Sequence, residues 1–189
     1  MTNALLEAFI ILLLILLNGV FAMSEMAVVS ARKARLQDQA NRGNRGARAA
    51  LALADTPDRF LSTVQIGITL VGVLSGAFGG QTIASMISEA AERSPTLAPY
   101  SSAIGLGAVV LVITYLTLVL GELVPKRIAL QNPERIAAMI AGPMTFVSRL
   151  AGPLVRLLSA STRVVGRVIG LQALTERPVT GDEIRILIG

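Results

Sequence analysis

Three long stretches without a charged side chain constrain this chain more than any other feature. They run from Ala8 to Ser24 between Glu7 and Glu25, from Phe60 to Ser88 between Arg59 and Glu89, and from Ser94 to Gly121 between Arg93 and Glu122. A helix rising 1.5 Å per residue needs about 20 apolar residues to cross a hydrocarbon core of roughly 30 Å. The second and third runs exceed that length. The first is short if it stops at Glu25, but Met26, Ala27, Val28 and Val29 continue its apolar character, so a span of Leu5 to Val29 carries a carboxylate in its inner half. Composition agrees, with 53% hydrophobic and 15% charged residues against roughly a quarter charged in a soluble domain. The expected fold class is an all-α integral membrane protein with three transmembrane helices. A cleaved signal peptide explains the first run less well, because no positive n-region precedes it, Glu7 stands ahead of its apolar core and no small-x-small cleavage site stands out.

Loop charges orient the spans. Arg32, Lys33, Arg35, Arg42, Arg45, Arg48 and Arg59 crowd the segment from Ser30 to Arg59, whereas the segment from Glu89 to Pro99 has only Arg93. The positive-inside bias places the first loop in the cytoplasm and the second outside, with the amino terminus outside as well. Lys126, Arg127 and Arg135 follow the third span on the cytoplasmic side. Beyond Pro133 the pattern changes. Ile136 to Gly170 is apolar but interrupted at Gly142-Pro143 and Gly152-Pro153, and Arg149, Arg156, Arg163 and Arg167 fall on one stripe opposite Leu150, Leu154, Leu157, Leu158 and Val165. That pattern predicts an amphipathic juxtamembrane helix on the inner leaflet, its cations among anionic headgroups. Re-entry of Ile136 to Val147, or a fourth span broken by the prolines, is the alternative. Residues 1–170 form the expected membrane domain. In residues 171–189, Thr180-Gly181-Asp182-Glu183 ahead of Ile184, Ile186 and Leu187 reads as a capping box opening an amphipathic helix, the start of a linker to a cytoplasmic part.

The residue types present narrow the chemistry. With no His and no Cys, imidazole and thiolate metal ligands, Ser–His and Cys nucleophiles, and disulfides are all excluded. The spans hold no aspartate for a paired-acid protease, so no enzyme is expected. The net charge of +5 in so apolar a chain points to lipid headgroups, and 4% aromatic residues offer little base-stacking surface, so no nucleic-acid partner is expected.

Inside the membrane, Ser62, Gln65, Thr69, Gly72, Gly76 and Gly79 make a small or polar seam on the second span, as do Gly107, Val110, Thr114, Thr117 and Gly121 on the third. Close helix packing is the simplest use of such seams. Glu25 and Glu122 are different, because a carboxylate in a bilayer needs water, a partner or a cation. Asn18 and Glu25 share a helix face, with Ser24 adjacent. Pro125 removes the backbone donor that would bond the Gly121 carbonyl, leaving a free carbonyl beside the Glu122 carboxylate, a cation ligand set. Two alternatives stand beside this reading: Glu122 pairing with Lys126 at i+4, and Glu25 snorkelling or pairing with Arg32 or Arg35. Carboxylate, hydroxyl and carbonyl oxygens suit Mg²⁺, Ca²⁺ or Na⁺, and do not choose among them.

Asn18-Gly19-Val20-Phe21-Ala22-Met23-Ser24-Glu25-Met26-Ala27, Thr63-Val64-Gln65-Ile66-Gly67-Ile68-Thr69-Leu70 and Gly121-Glu122-Leu123-Val124-Pro125-Lys126 together resemble the transmembrane domain of the CorC family, the bacterial branch of the cyclin M (CNNM) magnesium transporters. The resemblance implies a homodimer in the bacterial inner membrane, each protomer with three spans and a belt-like juxtamembrane helix around an inward-facing Mg²⁺ site. It also implies Mg²⁺ export driven by Na⁺ influx, and regulation by cytoplasmic cystathionine β-synthase-type (CBS) domains that bind ATP and would follow Gly189. Carried over by motif, the cation ligands fall on Ser24, on the Gly67 to Thr69 stretch with Gly67 and Thr69 as candidates, and on Gly121 and Glu122; Glu25 joins them as the neighbouring acid. Many relatives carry an asparagine after the glycine of the second motif or a few residues on. Ile68 and Gly72 stand there in this chain, so Gln65, Thr69 or a water would supply that oxygen. A Mg²⁺-sensing anchor and dimerisation scaffold that regulates another channel is the alternative function.

Overall fold

A computed structural model describes residues 2–78 and 80–169; the expected capping box at Thr180 to Glu183 and the linker around it lie outside the described residues. Every regular element among the described residues is helical, and three helical segments, Ala4–Ser30, Pro57–Ala77 and Ala98–Gln131, are long and apolar enough to cross a membrane. The first is α1 (Thr2–Ser30), which runs uninterrupted past Glu25. Two short helices follow, α2 (Lys33–Asn41) and α3 (Arg45–Asp55). They are joined by Gly43 at φ 91, and the Asn44 side chain accepts a hydrogen bond from the Ala47 amide to cap α3.

The long second apolar run is not one helix. α4 (Pro57–Ala77) begins with proline at its first position, where a missing amide hydrogen costs nothing. The chain then turns at Gly80, which lies in the left-handed region at φ 80 and opens α5 (Gln81–Glu92). Glycine permits this bend because it has no Cβ to clash. Hydropathy registers the whole run as apolar and carries no trace of the turn. The new helix lies against α6 (Ser101–Leu118), and the Glu7 carboxylate of α1 accepts a hydrogen bond from the Thr82 amide in its first turn.

After α6 the third span passes through a π-helical turn, Val119–Leu123, before continuing as α7 (Val124–Gln131). α8 (Pro133–Leu150) then turns back along the inner end of the domain, with Pro143 inside it on an exposed face. Its buried side, Ala137, Ile140, Ala141, Met144 and Ser148, packs on α3 and α1. The helices α8 and α9 (Gly152–Val168) together are also long and apolar enough to make a broken span or a re-entrant loop, so that alternative stands beside the interfacial one. The break falls at Gly152-Pro153, so Arg149 belongs to α8. Arg156, Arg163 and Arg167 belong to α9 (Gly152–Val168), where they keep one stripe of a strongly amphipathic helix.

A single cluster of buried side chains joins α1, α2, α3, α4, α7 and α8, including Leu36, Ala47, Phe60, Val64, Ala129 and Ala137. Alanine and glycine let α3 and α8 approach closely: a Cβ on Gly46 would strike the Ala138 carbonyl, a backbone group that cannot swing aside. Glu134, itself buried, accepts from the Arg32 amide at 3.3 Å and lies 3.9 Å from the Arg35 guanidinium, fixing the end of α1 to the start of α8. Gly46→Ala is expected to destabilise the protein by about 1–3 kcal/mol through overpacking, read as a lower thermal midpoint in detergent. Gly142→Ala, with nothing within 4 Å of the added carbon, should leave the midpoint unchanged or raise it.

Candidate functional site

The site is built where α1 meets the π-helical turn of the third span. Pro125 has no amide hydrogen, so the carbonyl of Gly121 lacks the donor that a regular helix would place four residues on. The chain answers in two ways. It widens into the turn at Val119–Leu123, and the Asn18 amide nitrogen of α1 donates to the Gly121 oxygen at 3.0 Å. The carbonyl expected to be free is therefore taken by the side chain of another helix. Glycines on both sides allow the approach: a Cβ on Gly19 would sit 3.0 Å from the Leu120 oxygen, and one on Gly121 would sit 3.1 Å from the Ile15 oxygen.

Further along the two segments, this packing brings the two membrane carboxylates to a single cation. The Lys126 ammonium lies 2.8 Å from Glu122 Oε1 and 4.0 Å from Glu25 Oε2. All three side chains are partly buried, at 27% exposure for Lys126, 34% for Glu25 and 43% for Glu122. The i+4 pairing of Glu122 with Lys126 therefore forms. Glu25 shares the same lysine instead of pairing with Arg32 or Arg35, whose contacts are with Glu134.

Ser24 is fully buried beside Glu25, and its hydroxyl donates to the Phe21 carbonyl at 2.7 Å. The donated hydrogen leaves the oxygen's lone pairs free to accept. Gly67 is buried on α4 and touches the Phe21 ring, which would lie 2.6 Å from an added Cβ, so its side of α4 serves to seat that ring. Thr69 is exposed on the other side of α4. The structure thus brings Ser24, Glu25, Gly121 and Glu122 onto one pair of packed segments. It sets Gly67 against α1 through Phe21 and leaves Thr69 apart.

The seams behave differently from close-packing surfaces. Gly72, Gly76 and Gly107 have nothing within 4 Å of an added Cβ. Gly72 and Gly76 instead line, with Ile15, Asn18, Thr114 and Thr117, an open cavity of about 390 Å³ between α1, α4 and α6. The cavity lies on the outer side of the Asn18–Gly121 bond, and the carboxylates lie on its inner side. Sequence reasoning missed the role of Asn18 and the double contact of Lys126. An asparagine in an apolar span was the available signal, but its partner is 103 residues away.

Among the described residues no three His, Cys, Asp or Glu side chains gather as a metal site. The candidate donors are the Glu25 and Glu122 carboxylates, the Ser24 hydroxyl and the Gly121 carbonyl. Those donors are all hard oxygens, and that set fits a small hard cation with retained waters.

Fold and site together define a helical membrane domain with three spans and an acid pair at their inner ends. The chain belongs to the CNNM family: the model for the cyclin M transmembrane N-terminal domain matches residues 9–189. It is similar to UPF0053 protein sll0260 of Synechocystis, 52% identical over 97% of this chain and 41% of that protein. It is also similar to the polyamine export protein of Haemophilus influenzae, 31% identical over 92% of this chain and 40% of that protein. UPF0053 protein YhdP of Bacillus subtilis is 29% identical over 95% of this chain and 41% of its own length. The chain thus spans about two fifths of the length of these curated relatives.

Asn18→Ala leaves the Gly121 carbonyl without its donor and should cost about 1–3 kcal/mol of stability, read as a lower thermal midpoint. Adding Pro125→Ala restores an amide hydrogen near that carbonyl, so the double variant should be less destabilised than the sum of the singles.

Proposed function

We propose that this domain binds Mg²⁺ at the inner ends of its spans and, in the full-length protein, exports it across the bacterial inner membrane in exchange for Na⁺. The observation that carries the reading is that Glu25 and Glu122, from different spans, both lie within 4.0 Å of one ammonium, that of Lys126, with Ser24 and Gly121 their neighbours in the chain. Intramembrane carboxylates are costly and mark ion pathways, and a donor set made only of oxygen selects hard cations. Helices opened by proline and a π-turn expose backbone oxygen in the same way as the discontinuous helices of secondary transporters. A sodium gradient supplies the driving force without nucleotide hydrolysis. Two protomers, with their open α4 seams available for contact, would form the working unit, and CBS-type domains that bind ATP would regulate it from the cytoplasm. The juxtamembrane helix α9, with Arg156, Arg163 and Arg167 along one stripe, would rest on anionic headgroups.

A second reading has its own support. The same acid pair accepts an alkylammonium from Lys126, and one relative is a polyamine export protein, so an organic polycation is the alternative cargo. Mg²⁺ binding is expected to raise the thermal midpoint, by about 2.7 kcal/mol of stability at a hundredfold excess over the dissociation constant. Glu122→Gln should remove most of that gain. In proteoliposomes, the full-length protein should move Mg²⁺ only against an opposed sodium gradient, followed with a trapped Mg²⁺ dye. Flux of spermidine in place of Mg²⁺ would support the second reading. Binding without flux of either cargo would leave a sensing scaffold.

A further inference from the structure

Lys126 is the one charged group in the site that cation binding does not call for. Two cationic side chains stand side by side at the start of α7, yet Arg127 is exposed while Lys126 is drawn in. Among the described residues it is the only cation within 4.0 Å of either Glu25 or Glu122. An ordinary i,i+4 pair on a helix end links two residues of one helix and contributes little. This lysine also reaches the acid of a different span, at the point where the cargo would be held.

Charge balance gives that position a meaning. Two carboxylates and one ammonium leave one negative charge, so the pair is quenched but not saturated. A divalent cation between the same carboxylates would make the site net positive with the ammonium still in place, at separations where the repulsion is largest. The two cannot share the site. A lysine head on a flexible four-carbon stem is a compact point charge that can swing away, and Lys126 already retains partial exposure through which to leave.

We propose that Lys126 is a tethered cation that occupies the acid pair when no cargo is bound, and that the transported cation enters by displacing it. The inference rests on the cation-binding reading of Glu25 and Glu122. The lysine sets an affinity threshold, because cargo must outcompete an ammonium already in place, and it closes the site behind a departing ion so that neither carboxylate is left bare in the membrane.

Titration of the detergent-purified protein with Mg²⁺, read by calorimetry and by thermal midpoint, tests this. Lys126→Gln removes the competitor and should tighten the apparent dissociation constant by about tenfold or more. Lys126→Arg, whose planar fork binds carboxylate bidentately, should weaken it, and this variant retains the positive charge. In Lys126→Ala, added methylammonium should compete with Mg²⁺, while in the wild type it should have little effect because the lysine already fills the position. Tighter binding in Lys126→Gln, or binding in that variant alone, supports the displacement. Wild-type binding with an unchanged or weaker constant in a folded Lys126→Gln overturns this inference and leaves the magnesium reading standing. No Mg²⁺ binding in either protein overturns both.

Discussion

Within a bilayer every backbone polar group must find a partner inside the protein, and the inner half of this domain is arranged around one place where the helix cannot supply it. Pro125 strips the donor from the Gly121 carbonyl. The π-helical turn at Val119–Leu123 and the Asn18 amide replace it. Because that replacement comes from α1, the third span is fixed to the first at a set depth and rotation. Gly19 and Gly121 allow the backbones close enough for it. The positions of Ser24 and Glu25 opposite Glu122 follow from this one contact, since they lie about two turns further along the same helix.

The acid pair is a consequence of that docking and also its principal electrostatic problem. Two carboxylates brought together at the membrane's inner edge repel unless a cation lies between them. In this structure the cation is the protein's own, Lys126. The neutral oxygens nearby each take part in a hydrogen bond within the protein. A site of this kind is held in shape by its internal bonds before any ion arrives, which reduces the ordering cost of binding. The outer cavity beside Asn18, with its glycine and threonine lining, lies beyond the same bond, so the Asn18–Gly121 contact separates the open outer space from the charged inner one.

α2, α3 and α8 form a small platform whose core includes Leu36, Ala47, Leu53, Ala137, Ile140 and Met144. Its junction with the membrane part runs through Glu134, which receives the amide at the end of α1 and faces Arg35. A movement of α8 would therefore act on α1, the helix that carries Asn18, Ser24 and Glu25.

Read alone, the sequence set the membrane class, the three crossings and the two acids worth attention, because hydropathy and a charged residue in an apolar run are local properties. It also determined that Pro125 would leave the Gly121 carbonyl without its helical donor. Hydropathy misses the bend at Gly80, and the signal for it is the Gly79-Gly80 pair, a turn-marking dipeptide inside an apolar run. The break at Gly152-Pro153 was readable, but not that Pro143 would be absorbed into α8. Packing alone fixes who meets whom. Asn18 takes the carbonyl of Gly121, one lysine serves two acids, Gly67 seats Phe21, and Gly72, Gly76 and Gly107 face open space instead of a neighbouring helix. Those contacts join residues far apart in the chain, and their partners are chosen by helix depth and rotation, which no local pattern encodes.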